Sequence, residues 1–251
     1  MKNEGENTGR RLWGTATAVL EAVLIALLIR SFLFQPFNIP SGSMEPTLLV
    51  GDYLFVSKFS YGYSRYSFPF APPIFSGRIF ASEPSRGDIV VFRHGDDDFI
   101  KRVIGLPGDR IQVIDGVVHI NGTAVERHRV ADFSGHNPCR PAPADAPPVR
   151  VVQWRETLPN GVSYNTLQCT RDGFADNTGV YTVPPGRFFM MGDNRENSED
   201  SRFPDVGYVP LENLVGRAQI LFFSIAGRTP VWELWNWPTS VRWRRIFTLV
   251  R

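Results

Sequence analysis

Lysine is almost missing from this chain: Lys2, Lys58 and Lys101 stand against 24 arginines in 251 residues. A sequence with that bias has kept a lysine inside an apolar run, Phe99-Ile100-Lys101. Lysine can give up its proton when desolvated and arginine cannot. Cysteine is scarcer still. Cys139 and Cys169 lack the spacing of a zinc or redox motif. They can pair in an oxidising compartment and close a long loop, but sequence does not place their Cα atoms, so the pairing stays open. No G-x-S-x-G elbow is present to serve a histidine-based triad. Of the histidines at 94, 119, 128 and 136, His94 falls in a polar loop with Asp96, Asp97 and Asp98 and reads as solvated rather than catalytic. No spacing of hard oxygen ligands recurs, so neither a metal nor a cofactor is expected. A formal charge of +2, without a basic helix or an aromatic-basic motif, argues against nucleic acid as a partner. Hydrophobic content of 43% with 21% charged residues excludes a disordered chain.

One long apolar run is there. Leu12 to Leu33 reads LWGTATAVLEAVLIALLIRSFL, enough as a helix to span about 30 Å of hydrocarbon. Arg30 near its end can reach headgroups. Glu21 is costly there unless protonated, paired or close to an interface. Lys2, Arg10 and Arg11 precede the run and place the N-terminus in the cytoplasm. The run is too long for a removable signal peptide, and Ser31-Phe32-Leu33-Phe34-Gln35 offers no small-x-small cleavage site, so an uncleaved anchor is expected. Aromatic residues make up 13% of the chain, with six tryptophans; a membrane-interface protein and an aromatic-rich core both account for them.

Beyond the anchor, 22 glycines and 20 prolines punctuate short apolar runs, as in mainly β folds. Strands are expected at 53–56, 88–92, 99–104, 110–114, 117–120, 187–191 and 218–223. Asp115-Gly116 predicts a type I′ hairpin and Asn121-Gly122 the next turn. Residues 132–150, with Pro138, Pro141, Pro143, Pro147 and Pro148, read as a loop within an inserted subdomain. Residues 61–76 read as a second, aromatic loop. The organisation expected is a cytoplasmic tail (1–11), an anchor (12–34), a core in two pieces (35–109 and 186–251) and an inserted β-subdomain (110–185). The tail from Val231 interleaves Trp with Arg; contact with a membrane interface and packing on the domain are both open.

Ser43 follows the anchor by ten positions, in Pro40-Ser41-Gly42-Ser43-Met44-Glu45-Pro46-Thr47. A serine hydroxyl needs a nearby base to become a nucleophile. Taken alone, a Ser-Gly-Ser run is most often a plain loop. Lys101 is the candidate base, because its apolar neighbours Phe99, Ile100, Val103 and Ile104 would desolvate the amine and lower its pKa. Strand alternation alone favours an exposed lysine on an edge strand.

Four stretches, two of them carrying Ser43 and Lys101, resemble in this order the boxes of the bacterial type I signal peptidase family. They are Ile39 to Leu48; Gly51-Asp52 with Val56 to Gly62; Arg86 to Phe92 with Ile100 to Asp109; and Met191 to Arg202. The resemblance implies a membrane-bound Ser-Lys serine endopeptidase with a β-rich catalytic core and an inserted β-subdomain. Ser43 would attack the scissile carbonyl, and a neutral Lys101 would take its proton. Ser198 would bond and orient the Lys101 amine, Asp200 and Arg202 would support Ser198, and Asp193 with Arg195 would hold that loop. The oxyanion hole would be the Ser43 N–H and the Ser41 hydroxyl. Shallow pockets at Phe37, Ile39, Pro40, Met44, Leu48, Val91, Phe99 and Ile100 would admit only small residues at the first and third positions before the cut. Phe99 departs from relatives that carry a tyrosine there, so any hydroxyl contact is absent.

The partners implied are signal peptides of exported precursors and the lipid bilayer, close to the secretion translocon. The place implied is the bacterial inner membrane, with the catalytic part on its outer, periplasmic side. The rival expectations are a dedicated maturation protease of a conjugation or pilus system and a non-enzymatic scaffold of a secretion machine. A self-cleaving repressor shares the dyad, but no DNA-binding module is present.

Overall fold

A computed structural model describes residues 3–73, 75–140, 147–170, 173–226 and 232–251, with side chains from Trp13 onward. Lys2, Pro141, Pro143 and Val231, which carried expectations above, lie outside these. Helix α1 covers Asn3–Phe32. Its Trp13–Phe32 stretch of 20 residues has a mean hydropathy of 1.8 and is 6% buried. Apolar all round and unburied by protein, it is long enough by composition and length to cross a membrane. It ends two residues before the expected limit, because Phe34 already pairs in a strand. That end is fixed: Tyr63 Oη donates to the Phe32 carbonyl at 3.0 Å, and the Phe32 ring meets Tyr63 and Phe68 edge-on.

Sixteen strands follow among the described residues: β1 (Phe34–Asn38), β2 (Asp52–Ser57), β3 (Ile89–His94), β4 (Asp97–Gly105), β5 (Arg110–Ile114), β6 (Val117–Ile120), β7 (Thr123–Ala124), β8 (Glu126–Arg129), β9 (Phe133–Gly135), β10 (Val149–Thr157), β11 (Ser163–Gln168), β12 (Tyr181–Thr182), β13 (Arg187–Met191), β14 (Val209–Pro210), β15 (Leu214–Ser224) and β16 (Thr248–Leu249). The large sheet runs β1-β2-β15-β3-β4-β13-β14, with β16 on β15. Two smaller sheets run β11-β10-β8, with β9 on β10, and β12-β5-β6-β7.

The core explains the sequence of β3. Ile89 and Val91 join Ile39, Met44, Leu48 and Leu54 in one cluster; Val90 and Phe92 join Tyr61, Val103, Phe188 and Met190 in another. A strand buried on both faces reads as an unbroken apolar run. Asp115 and Gly116 take φ of 50° and 72°, as a type I′ turn requires, and Ile114 pairs with Val117 across it. The stretch at His94 is no loop: His94 pairs with Asp97 in a tight hairpin through Gly95, whose φ is 56°.

Cys139 and Cys169 form a disulfide, with Cα atoms 5.7 Å apart. The C-terminal segment packs on the domain. Trp237 lies 5.0 Å from the Phe223 ring, and Arg245 reaches the buried Asp52 carboxylate at 2.5 Å. Arg242 donates to the Val50 carbonyl at 3.0 Å. Trp232, Trp235 and Trp243 stay exposed.

Candidate active site

Ser43 sits on a single 3-10 turn, Gly42–Met44, between β1 and β2. The turn is fixed from below because Ile39, Met44 and Leu48 sink into the core beside it. Lys101 comes from β4. That strand lies between β3 and β13, so it is interior, not an edge, and Lys101 is 5% exposed. This corrects the edge-strand reading: alternation shows which residues share a face, not which strands flank them. Lys101 Nζ lies 2.9 Å from Ser43 Oγ, and Ser43 is itself 6% exposed. Burial pushes the Lys101 amine down to about 8, against the carboxylates of Asp200, Glu199 and Asp193, which favour the ammonium. Ser41 Oγ stands 3.4 Å from Ser43 Oγ.

Ser198 differs from expectation. It is buried at the cleft, but its hydroxyl has no hydrogen-bond partner and so makes none to Lys101. It is packed against Gly192, where an added Cβ would stand 2.2 Å from Ser198 Oγ and 2.5 Å from the Ser43 carbonyl oxygen. Asp200 and Arg202 form a buried fork, Nε to Oδ1 at 2.8 Å and Nη2 to Oδ2 at 2.9 Å. Burial alone would raise the Asp200 carboxyl. Arg202, with the Gly192 N–H, holds it below its ordinary value instead.

Asp193 and Arg195 do not pair with each other. Asp193 takes both ends of a fork from Arg102, at 2.8 and 2.7 Å, and also the Thr47 hydroxyl at 2.5 Å. Arg195 reaches across to Glu156 on β10 at 2.6 Å, with Tyr164 Oη at 3.2 Å. The loop is therefore held by two buried ion pairs to different strands. Sequence reasoning gave no role to Arg102, Thr47 or Glu156. The one available signal was an arginine directly after the candidate base, between the apolar pairs Phe99-Ile100 and Val103-Ile104.

Also missed were Glu45 and His136. Glu45 is fully buried and His136 Nε2 lies 2.8 Å from its Oε1. A carboxylate between Met44 and Pro46, beside the nucleophile, was the signal for it.

The pair opens on a cleft of about 730 Å³. Phe37, Ile39, Pro40, Val91, Phe99 and Ile100 line it. Met44 and Leu48 do not line it: both are fully buried and belong to the core beneath. Glu196, Glu199, Asp97, Asp98 and Asp205 add carboxylates to the lining.

Comparison with known proteins settles the family. The profile described as signal peptidase, peptidase S26, matches residues 12–223. The chain belongs to the signal peptidase family. A signal peptidase I of Rickettsia conorii is 42% identical over 267 residues, covering 98% of this chain and 95% of that one. One from Rickettsia typhi is 40% identical, covering 98% and 97%. A crystal structure of a signal peptidase I from Enterococcus faecalis V583 shares 23% identity, with a TM-score of 0.30, over 54% of this chain and 97% of that chain. As a signal peptidase family member the chain is a serine endopeptidase, and nothing in these comparisons favours a scaffold or a dedicated maturation protease.

Proposed function

We propose that this chain cleaves N-terminal signal peptides from exported precursors after small-x-small sites, with Ser43 as nucleophile and Lys101 as general base. One observation carries the reading: a lysine amine held 2.9 Å from a serine hydroxyl, both buried, on a cleft with apolar walls. The neutral amine takes the Ser43 proton as Oγ attacks the scissile carbonyl. The Ser43 N–H and the Ser41 hydroxyl receive the charge that develops on the carbonyl oxygen; one such donor is typically worth about 10²–10³ in rate. The Lys101 ammonium then returns its proton to the leaving amine. The acyl-enzyme is hydrolysed by a water that the same amine deprotonates. Ser198, Asp200 and Arg202 support this pair by packing, and the two buried pairs of Asp193 and Arg195 fix the loop that carries them. Phe37, Ile39, Pro40, Val91, Phe99 and Ile100 exclude bulk at the first and third positions before the cut.

The anchor orients the site. Ser43 lies ten positions past Leu33 along a strand that leaves the helix directly, which keeps the cleft close to the bilayer. The proposed topology puts the N-terminus in the cytoplasm and the catalytic part on the outer side of the inner membrane, next to emerging precursors at the translocon. Cleavage of a precursor by Ser43→Ala and Lys101→Met tests the chemistry. Each is expected to lose at least about 10³-fold in kcat. Unreduced turnover by either rejects the dyad.

A further inference from the structure

The turn that carries Ser43 is gripped on two sides by side chains the chemistry does not use. On one side His136 Nε2 contacts both oxygens of the buried Glu45 carboxylate, at 2.8 and 3.0 Å. Glu45 closes the turn, its N–H donating to the Gly42 carbonyl at 3.2 Å. On the other side Asn194 donates its backbone N–H to the Ser43 carbonyl at 3.1 Å and its side-chain Nδ2 to the Gly42 carbonyl at 3.2 Å. The same Nδ2 donates to the Pro138 carbonyl at 2.7 Å, and Asn197 Nδ2 donates there too at 2.8 Å.

The next residue, Cys139, is bonded to Cys169 just beyond β11. That point is laced to the same loop. Cys169 N–H donates to Glu196 at 2.5 Å, and Leu167 exchanges backbone bonds with Asp193 and Arg195 at 2.9 and 3.2 Å. Burial pushes the Glu45 carboxyl above its ordinary value and His136 is the largest influence opposing it, so loss of His136 leaves a buried acid poorly compensated. Without the disulfide, residues 136–139 would be held to the loop mainly by single hydrogen bonds.

We propose that His136–Cys139, pinned by the Cys139–Cys169 disulfide, is a positioning strap for the Ser43 turn, so that turnover depends on that bond being formed. His136 and Pro138 touch no reacting atom; they act through Glu45 and Asn194. The proposal rests on Ser43 being the nucleophile. A misplacement of about 1 Å at a reacting atom can cost about 10²-fold in rate, while apolar pockets elsewhere in the cleft still bind.

The test uses the full chain in detergent and a peptide with alanine at the first and third positions before the cut. It compares His136→Phe, His136→Gln, the double substitution Cys139→Ser with Cys169→Ser, and the native protein with its disulfide reduced. Melting is followed in parallel. His136→Phe and both disulfide-free forms are expected to lose about ten- to a hundredfold in kcat while KM stays within about threefold. His136→Gln, which keeps a donor to Glu45, is expected to recover most of the loss. The strap is overturned by native kcat in His136→Phe and the disulfide-free forms. It is also overturned by a loss that appears as raised KM or as unfolding at the assay temperature, or by equal loss in His136→Gln and His136→Phe. Ser43→Ala serves as control. Activity retained there overturns the reading of the nucleophile, whereas a dead Ser43→Ala beside an active His136→Phe overturns the strap alone.

Discussion

A low amine pKa does not by itself mark a base. Burial pushes Lys58 down to about 8 as well, yet its Nζ donates to the Ser67 carbonyl. Lys101 has the same shift and a hydroxyl at 2.9 Å, and that contact separates the two. Lys101→Arg keeps a cation of similar reach that does not release its proton. It is expected to cleave at least about 10³-fold more slowly while melting near the native temperature. Equal activity in Lys101→Arg would argue that charge, not proton transfer, is what position 101 supplies. Gly192→Ala should be as damaging by another route, since its Cβ would collide with the Ser43 carbonyl and Ser198. A drop in kcat of about 10²-fold is expected in a peptide-cleavage assay. Both residues of the proposed dyad took their roles in the sequence from resemblance to a family. Read by themselves, Ser41-Gly42-Ser43 suggests a loop and Lys101 an exposed strand position. What sequence could not supply was the pair of strands on either side of β4.

Among the elements, short apolar runs bounded by turn residues found β3 and β13, although both are buried on two faces, and missed strands whose runs are broken by proline or charge. The hairpin at Asp115-Gly116 was readable because two left-handed residues in a row suit few other structures. β1 was not, since Pro36 breaks the strand signal; proline is tolerated there because β1 is the edge of its sheet. β10 was hidden by Arg150, Arg155 and Glu156, and Glu156 turns out to be buried against Arg195. Ion pairs between distant strands leave no local pattern. The Arg102–Asp193 pair ties β4 to the loop after β13 with both side chains almost fully buried. Asp193→Asn would leave Arg102 buried and uncompensated, a change that costs about 3–5 kcal/mol. Chemical denaturation should read that loss; an unchanged midpoint would show that the pair contributes nothing net.

For the whole molecule, the anchor and the tail frame the domain differently. The proposed anchor was plain in the sequence because a 20-residue stretch with a mean hydropathy of 1.8 has few other uses. The tail was ambiguous because its arginines suit lipid and protein equally. Arg245 and Arg242 turn inward, to Asp52 and Val50, so the tail is part of the fold even where its tryptophans face out. Arg245→Ala is expected to destabilise the domain by about 1–3 kcal/mol, since Asp52 is fully buried and would lose its nearest cation. The proposed topology has its own check. Protease added outside intact spheroplasts should digest the catalytic part and leave only the anchor with its short tail. Full protection would place the domain in the cytoplasm and remove it from emerging precursors.

The pH dependence of kcat/KM on a small-x-small peptide bears most directly on the neutral amine. With the Lys101 amine at about 8, only the fraction without its proton can accept one from Ser43. The account predicts activity that rises about tenfold per pH unit up to roughly 8 and then levels, and a shifted or absent limb in Lys101 variants. A profile flat from about pH 6 to 9 in the native protein would contradict it.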